Sequence, residues 1–256
     1  MEATKLLNKK LSFKQTGFYS QDGQDKFLLK LFPNKKKGVF LDIGAYDGLY
    51  YSNSFYLEKE MGWNGICVEP NPFVFEKLKV NRKCSLIKCC ISEQPGEFDF
   101  LIVNGYGEML SGLIDFFDEK HLTRIDKIIS EHGGSKEIIK VPAHPIKTIL
   151  SEKGIYEVDY CNIDVEGGEM TVLKSIDFSA VKIRVFTIEN NYGTNNVKKF
   201  LTTKGYRLIG KLGSDEVYEH HSKRYDLMMD WRIKRIKNKV ALLSNSIKMR
   251  IFRNNK

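Results

Sequence analysis

The sequence predicts an α/β fold, built on a mostly parallel sheet with helices on both faces and a C-terminal antiparallel hairpin. Three observations predict it. Apolar runs alternate with helix-like segments at βαβ lengths. The first run, "GVFLDIGA" at 38–45, is continuously apolar, as in a strand covered on both faces. The end of the chain, "YRLIGKL-GSD-EVYEHH", reads as a hairpin.

The elements follow in order. Residues 1–37 form a polar lead-in with a helix near Asp25–Phe32, and "NKKKG" turns the chain into the first strand. "SNSFYLEKEM" is a helix that Ser52 or Asn53 can cap. "WNGICVEP" is the second strand. "NPFVFEKLKVNR" is a helix with Asn71 as cap and Pro72 at its first position. "CSLIKCCIS" reads as one third strand. The middle, 96–146, is irregular: an exposed strand "EFDFLIV", a Gly-rich loop "GYGEMLSGLIDFF", a helix "DEKHLTRIDKIISEHGG", and "EIIKVPAHPI", a strand broken by two prolines. Such a segment either shapes a substrate site or decorates the sheet edge. Regularity returns with "VDYCNIDVEGGEM" (strand and loop), "EMTVLKSI" (helix), "IRVFTIENN" (strand) and "NVKKFLTTKGY" (helix). Residues 38–222 therefore form one domain.

The chain has 256 residues and a net charge of +9. Residues 223–256 hold 11 Lys/Arg and 2 Asp/Glu, so this tail carries the whole excess and the body is balanced. A balanced body argues against nucleic-acid binding. In the tail, Met229, Ile233, Ile236, Val240, Leu243, Ile247 and Ile251 form one helical stripe among basic residues. Such a helix packs on the body or on a twin subunit, lies on an anionic membrane, or, last in order, binds nucleic acid. The five cysteines show no metal or disulfide spacing, and read as buried thiols of a reducing compartment. With no apolar block at the start and no apolar run of ~18 residues, the expected location is cytoplasmic, or peripheral to a membrane.

The loop after the first strand narrows the ligand. Gly48 is followed by Leu49, which does not match a phosphate-gripping G-x-x-x-x-G-K-[ST] loop. Asp42 and Asp47 put negative charge where a pyrophosphate would sit. A cationic nucleoside without phosphate, S-adenosylmethionine, suits Asp42-x-Gly44-x-x-x-Gly48, with bare backbone toward the ligand. Glu69, at the end of the second strand, is placed for the ribose hydroxyls.

With "SQDGQD", "FLDIGAYDG", "GWNGICVEPNP", "GEMLSGL", "NIDVEGGE" and "TIENN" in this order, the sequence resembles FkbM-type methyltransferases from about Gln21 to about Tyr218. The resemblance implies a Rossmann-like class I methyltransferase fold. It also implies methyl transfer from S-adenosylmethionine, typically to hydroxyls of sugars or polyketide-type products. Carried over by position, Asp42, Gly44 and Gly48 shape the cofactor loop, Glu69 binds ribose, and the backbone of Cys90 and Ile91 flanks adenine. Tyr46 departs from the pattern, which has a smaller polar residue such as Asn there.

The acidic loop "NIDVEGGE" carries Asp164, Glu166 and Glu169 at the tip of the fourth parallel strand. A hydroxyl is a poor nucleophile, so its proton must leave as the bond forms, or a divalent cation must acidify it first. Asp164 or Glu166 is the expected base, or the ligand of Mg²⁺ or Mn²⁺; both could instead belong to an acidic helix-capping turn. His144 is the other candidate base. Glu108, Ser111, Glu189 and Tyr192 are expected to line the acceptor pocket.

Overall fold

The computed structural model describes residues 17–191 and 193–221. The start of the lead-in and the basic tail at 223–256 lie outside the described residues.

Seven strands form the main sheet: β1 (Val39–Ile43), β2 (Asn64–Val68), β3 (Ser85–Ile87), β8 (Glu157–Ile163), β9 (Lys182–Glu189), β10 (Tyr206–Leu212) and β11 (Asp215–His220). Their order is β10-β11-β9-β8-β1-β2-β3. β3, β2, β1, β8 and β9 are parallel, whereas β11 runs antiparallel to both β9 and β10. The order reverses between β1 and β8, so crossovers leave in opposite directions and open a crevice at the carboxyl ends of these strands. The hairpin completes the sheet with its second strand innermost.

Residue alternation places helices on both faces. Leu41, Ile43, Ile66, Val68, Cys161 and Ile163 point to one core. It is closed by α5 (Ile146–Glu152), α6 (Glu169–Lys174) and α7 (Asn196–Thr203) through Ile149, Leu173 and Leu201. Phe40, Cys67, Tyr160 and Val185 point to the other. There α1 (Gln24–Leu31), α2 (Phe55–Lys59) and α3 (Pro72–Asn81) bring Leu28, Leu57 and Leu78. Asn71 caps α3, its Oδ1 accepting from the N–H groups of Phe73 and Val74, with Pro72 in the first turn. At α2 the N-cap is Ser54 rather than Ser52 or Asn53, and its own side chain makes no cap bond; Ser52 Oγ, two residues earlier, accepts from the Phe55 N–H. Asn53, the other expected cap, is turned away.

The irregular middle is a second sheet. β4 (Cys90–Ile91), β5 (Gly96–Gly105), β6 (Gly112–Leu113) and β7 (Gly134–His144) align as β4-β7-β5-β6. It packs on α4 (Glu119–His132), which Asp118 caps and Gly133 ends. Two expectations are corrected here. "CSLIKCCIS" is not one strand: Ser85–Ile87 stays with β2, and Cys90–Ile91 crosses to pair with Ala143 and His144. Nor do the prolines break "EIIKVPAHPI". Pro142 sits inside β7 opposite Glu97. β4 reaches only Ala143 and His144, so one side of β7 is an edge at Pro142, where a missing N–H is tolerated.

The five cysteines are free thiols, four buried and Cys84 half-buried. No helix among the described residues is long and apolar enough to cross a membrane.

Candidate active site

A cleft of about 380 Å³ opens at the carboxyl ends of β1, β2, β8 and β9, within the usual range for a small-molecule site. One half is organised by Glu69, just past β2. Its carboxylate accepts from the N–H of Tyr46 at 3.0 Å and of Asn71 at 2.9 Å. Only 7% of Glu69 is exposed, and burial pushes its carboxyl up to about 7, against those two N–H groups. Tyr46 reaches this position with φ of 50°, a left-handed conformation uncommon outside glycine. Its hydroxyl donates to Glu108, which also pairs with Lys77 of α3 at 2.8 Å. Cys90 and Ile91 line the same half.

The glycine loop is shaped by the protein's own packing. A Cβ on Gly44 would collide with the Asp164 carbonyl oxygen, and one on Gly48 with Leu78 and Arg82. Gly44 lines the cleft, whereas Gly48 and Asp47 do not. Asp47 turns back to accept from the N–H groups of Leu49 and Tyr50. Asp42 forms the floor, only 1% exposed. Its carboxylate accepts from Ser54 Oγ and from Asn162 Nδ2, with the Arg82 guanidinium 3.9 Å away. The carboxylate is therefore spent on the scaffold.

In the other half, Asp164 follows β8, Glu166 lies in the next turn and Glu189 ends β9. Each offers an oxygen within 4.8 Å of the others. Burial pushes Glu166 and Glu189 up to about 8, and Asp164 well above the ordinary carboxylate range; their mutual repulsion adds to it. Glu166 holds a φ of 55°, and its Oε2 has no hydrogen-bond partner among the described residues. His121 of α4 faces that oxygen with Nδ1 at 3.7 Å, while its Nε2 meets the Leu110 carbonyl. Glu169 is tied to the Gly167 N–H and supports the turn.

The second sheet also reaches the cleft, through Phe100 of β5 and Leu113 of β6, with Glu108, Ser111 and Phe116 in the turns on either side of β6. Ser111 Oγ is engaged internally, accepting from the Val103 N–H and donating to the Glu108 carbonyl. His144 is exposed on β7 and does not line the cleft. Tyr192 lies outside the described residues.

Residues 42–208 match the methyltransferase FkbM domain model. The chain belongs to the FkbM methyltransferase family. Methyl transfer from S-adenosylmethionine is the activity that membership in the FkbM family carries. A search of curated proteins finds no match. Three solved structures are similar to this FkbM chain. A TehB-like SAM-dependent methyltransferase from Corynebacterium glutamicum shares 10% identity, with 86% of this chain and 98% of that chain covered, at a TM-score of 0.42. The methyltransferase domain of METTL16 shares 14%, covering 85% and 93%, at 0.44. A human methyltransferase 10 domain containing protein shares 12%, covering 85% and 95%, at 0.42. The assignment rests on the family match.

The cleft of this FkbM domain has features suited to the cofactor. A buried carboxylate held by two N–H groups is preorganised to accept from a diol, and acidic walls suit a sulfonium. Sequence reasoning missed Gln24, Asn53, Asn162, Arg124 and Asp215 in its lining. The signal for Gln24 is its place in the motif "SQDGQD". Asp215 carries no such signal, because only the position of β11 beside β9 brings it to the crevice.

Proposed function

We propose that the protein is an O-methyltransferase acting on a hydroxyl of a sugar or glycan. The observation that carries this reading is the half-buried trio Asp164, Glu166 and Glu189, in the same cleft as Glu69. Bound S-adenosylmethionine would supply an electrophilic methyl group on its sulfonium. Glu69 would accept hydrogen bonds from the ribose hydroxyls, and Cys90 and Ile91 would border the adenine. Asp164 or Glu166, once ionised, would take the acceptor's hydroxyl proton onto a carboxylate oxygen as the new C–O bond forms. Low-dielectric surroundings make these carboxylates better bases than exposed ones. Tyr50 and Tyr51, with ring centroids 4.0 Å apart, also line the cleft and offer aromatic surface to a sugar ring. A lipid or polyketide hydroxyl is the alternative acceptor, and a binding module without turnover the alternative class.

The test is Asp164→Asn. Turnover of a glycan hydroxyl is expected to vanish while nucleoside binding persists; full activity would remove Asp164 from the mechanism. A second reading comes from the spacing of the three carboxylate oxygens, which suits a hard divalent cation such as Mg²⁺ or Mn²⁺. Activity unaffected by a chelator would eliminate that reading.

A further inference from the structure

Below the acidic trio, one buried acceptor is unmatched among the described residues. Asp42, beside Arg82, can only accept, so Asn162 must present Nδ2 to it, at 2.9 Å. Asn162 Oδ1 then collects Nδ2 of Asn53 at 2.9 Å and Oγ1 of Thr187 at 2.7 Å. This chain fixes the Asn53 amide without a flip. Asn53 Oδ1 is left over: it has no partner, on a side chain that lines the cleft in a residue only 6% exposed. A buried carbonyl without a donor carries an uncompensated desolvation cost.

The same logic fixes Gln24. Its Oε1 accepts from the Asp22 N–H at 2.9 Å, so Nε2 is committed to Asp215 Oδ2, also at 2.9 Å. Asp215 is buried against the cleft, and burial lifts its carboxyl to about 6 although Gln24 and Asn53 hold it down. Charge makes the wall one-sided. Among the described residues lining the cleft are eight carboxylates and one basic side chain, Arg124. Asp42 is offset by Arg82 and Glu108 by Lys77. Asp22, beside Asp215, adds repulsion. Burial drives Asp164, Glu166 and Glu189 toward their neutral forms, so the negative charge of this wall centres on Asp215, next to a buried acceptor in need of a donor. A phosphate would be rejected there; a cation with several N–H groups would satisfy both deficits.

We propose that Asp215 and Asn53 Oδ1, oriented by Gln24 and Asn162, form a subsite for a primary alkylammonium group. The subsite rests on the methyltransferase reading of the cleft and adds residues to it. Two ligands carry that chemistry: the α-ammonium of the cofactor's methionine moiety, and an amine on the acceptor, as in an amino sugar.

Calorimetry on the full chain and on Asp215→Asn separates them. The cofactor probes are S-adenosylhomocysteine, which has the ammonium, and 5′-methylthioadenosine, which lacks it. The acceptor probes are D-glucosamine and D-glucose, titrated into protein saturated with S-adenosylhomocysteine. If the cofactor supplies the group, Asp215→Asn weakens S-adenosylhomocysteine at least tenfold and leaves methylthioadenosine unchanged, which also shows the variant folded. If the acceptor supplies it, both nucleosides bind as before, and the wild-type preference for glucosamine over glucose is lost. An Asp215→Asn protein that matches wild type for all four probes overturns the subsite. Failure of wild type to bind either nucleoside would instead bring down the methyltransferase reading, and the subsite with it.

Discussion

Glu69 shows how one residue can be both poised and costly. Its carboxyl is pushed up to about 7 because it is buried, and the Tyr46 and Asn71 N–H groups offset only part of that cost. A ribose diol donating to it would favour the ionised form. Glu69→Gln is expected to weaken S-adenosylhomocysteine by roughly 1.5–3 kcal/mol, the range for hydrogen bonds to a charged group, as read by calorimetry. Wild-type affinity should fall as pH drops below about 7, where the free carboxyl takes up its proton. A flat profile from pH 6 to 8 would remove Glu69 from the ribose site. The position of Glu69 was legible, since the end of the second strand in such a sheet faces the crevice. Its anchoring by the Tyr46 N–H was not, because it depends on a left-handed backbone at a tyrosine. Local preferences argue against that conformation, and only the assembled loop enforces it.

At the level of elements, the loop after β1 is held from outside by α3. Arg82, 4% exposed at the end of that helix, donates from Nε to Glu58 of α2 and from its terminal nitrogens to Gly48, Ser52 and Ser54. Removing one partner of a buried ionic network leaves the others uncompensated. Arg82→Ala is expected to cost about 3–5 kcal/mol in denaturant unfolding. A change under 1 kcal/mol would show that the network does not brace the loop. Gly44→Ala should separately cost about 1–3 kcal/mol from overpacking, since its Cβ would strike the Asp164 carbonyl. These glycines were legible as a motif, but their reason was not. Spacing suggested bare backbone facing a ligand. The space at Gly48 is instead filled by Leu78 and Arg82, and that at Gly44 by the acidic loop.

For the whole molecule, the buried carboxyls set how stability responds to pH. Glu69 and Asp215 are raised to about 7 and about 6, so between the ordinary carboxylate range and those values the folded state binds more protons than the unfolded chain. Stability from these groups is fully present below their unfolded pKa values and is lost as pH rises through the folded ones. His121, lowered by burial, acts the opposite way below its ordinary value and as a single group. The ligand-free protein is therefore expected to melt several degrees lower at pH 8 than at pH 5 by scanning fluorimetry. A rising midpoint would contradict the burial of these carboxyls. The parallel core was legible because its strands are apolar on both faces. The second sheet was not, since β4 is two residues long and β7 contains a proline, and neither gives a periodic signal. All of the net charge lies in 223–256, outside the described residues. We expect the full chain to co-sediment with anionic vesicles and a chain ending at Ser222 to stay in solution; equal binding would exclude a membrane role for that segment.

The contact from Tyr46 through Glu108 to Lys77 ties the β1 loop and α3 to the second sheet across the nucleoside half of the cleft. We predict that this contact slows the departure of a spent nucleoside from that half of the cleft. Tyr46→Phe cuts one arm without altering the backbone N–H that Glu69 uses, so faster departure with little change in ribose recognition is its signature in stopped-flow. The segment that looked least organised in the letters would then set the pace of turnover.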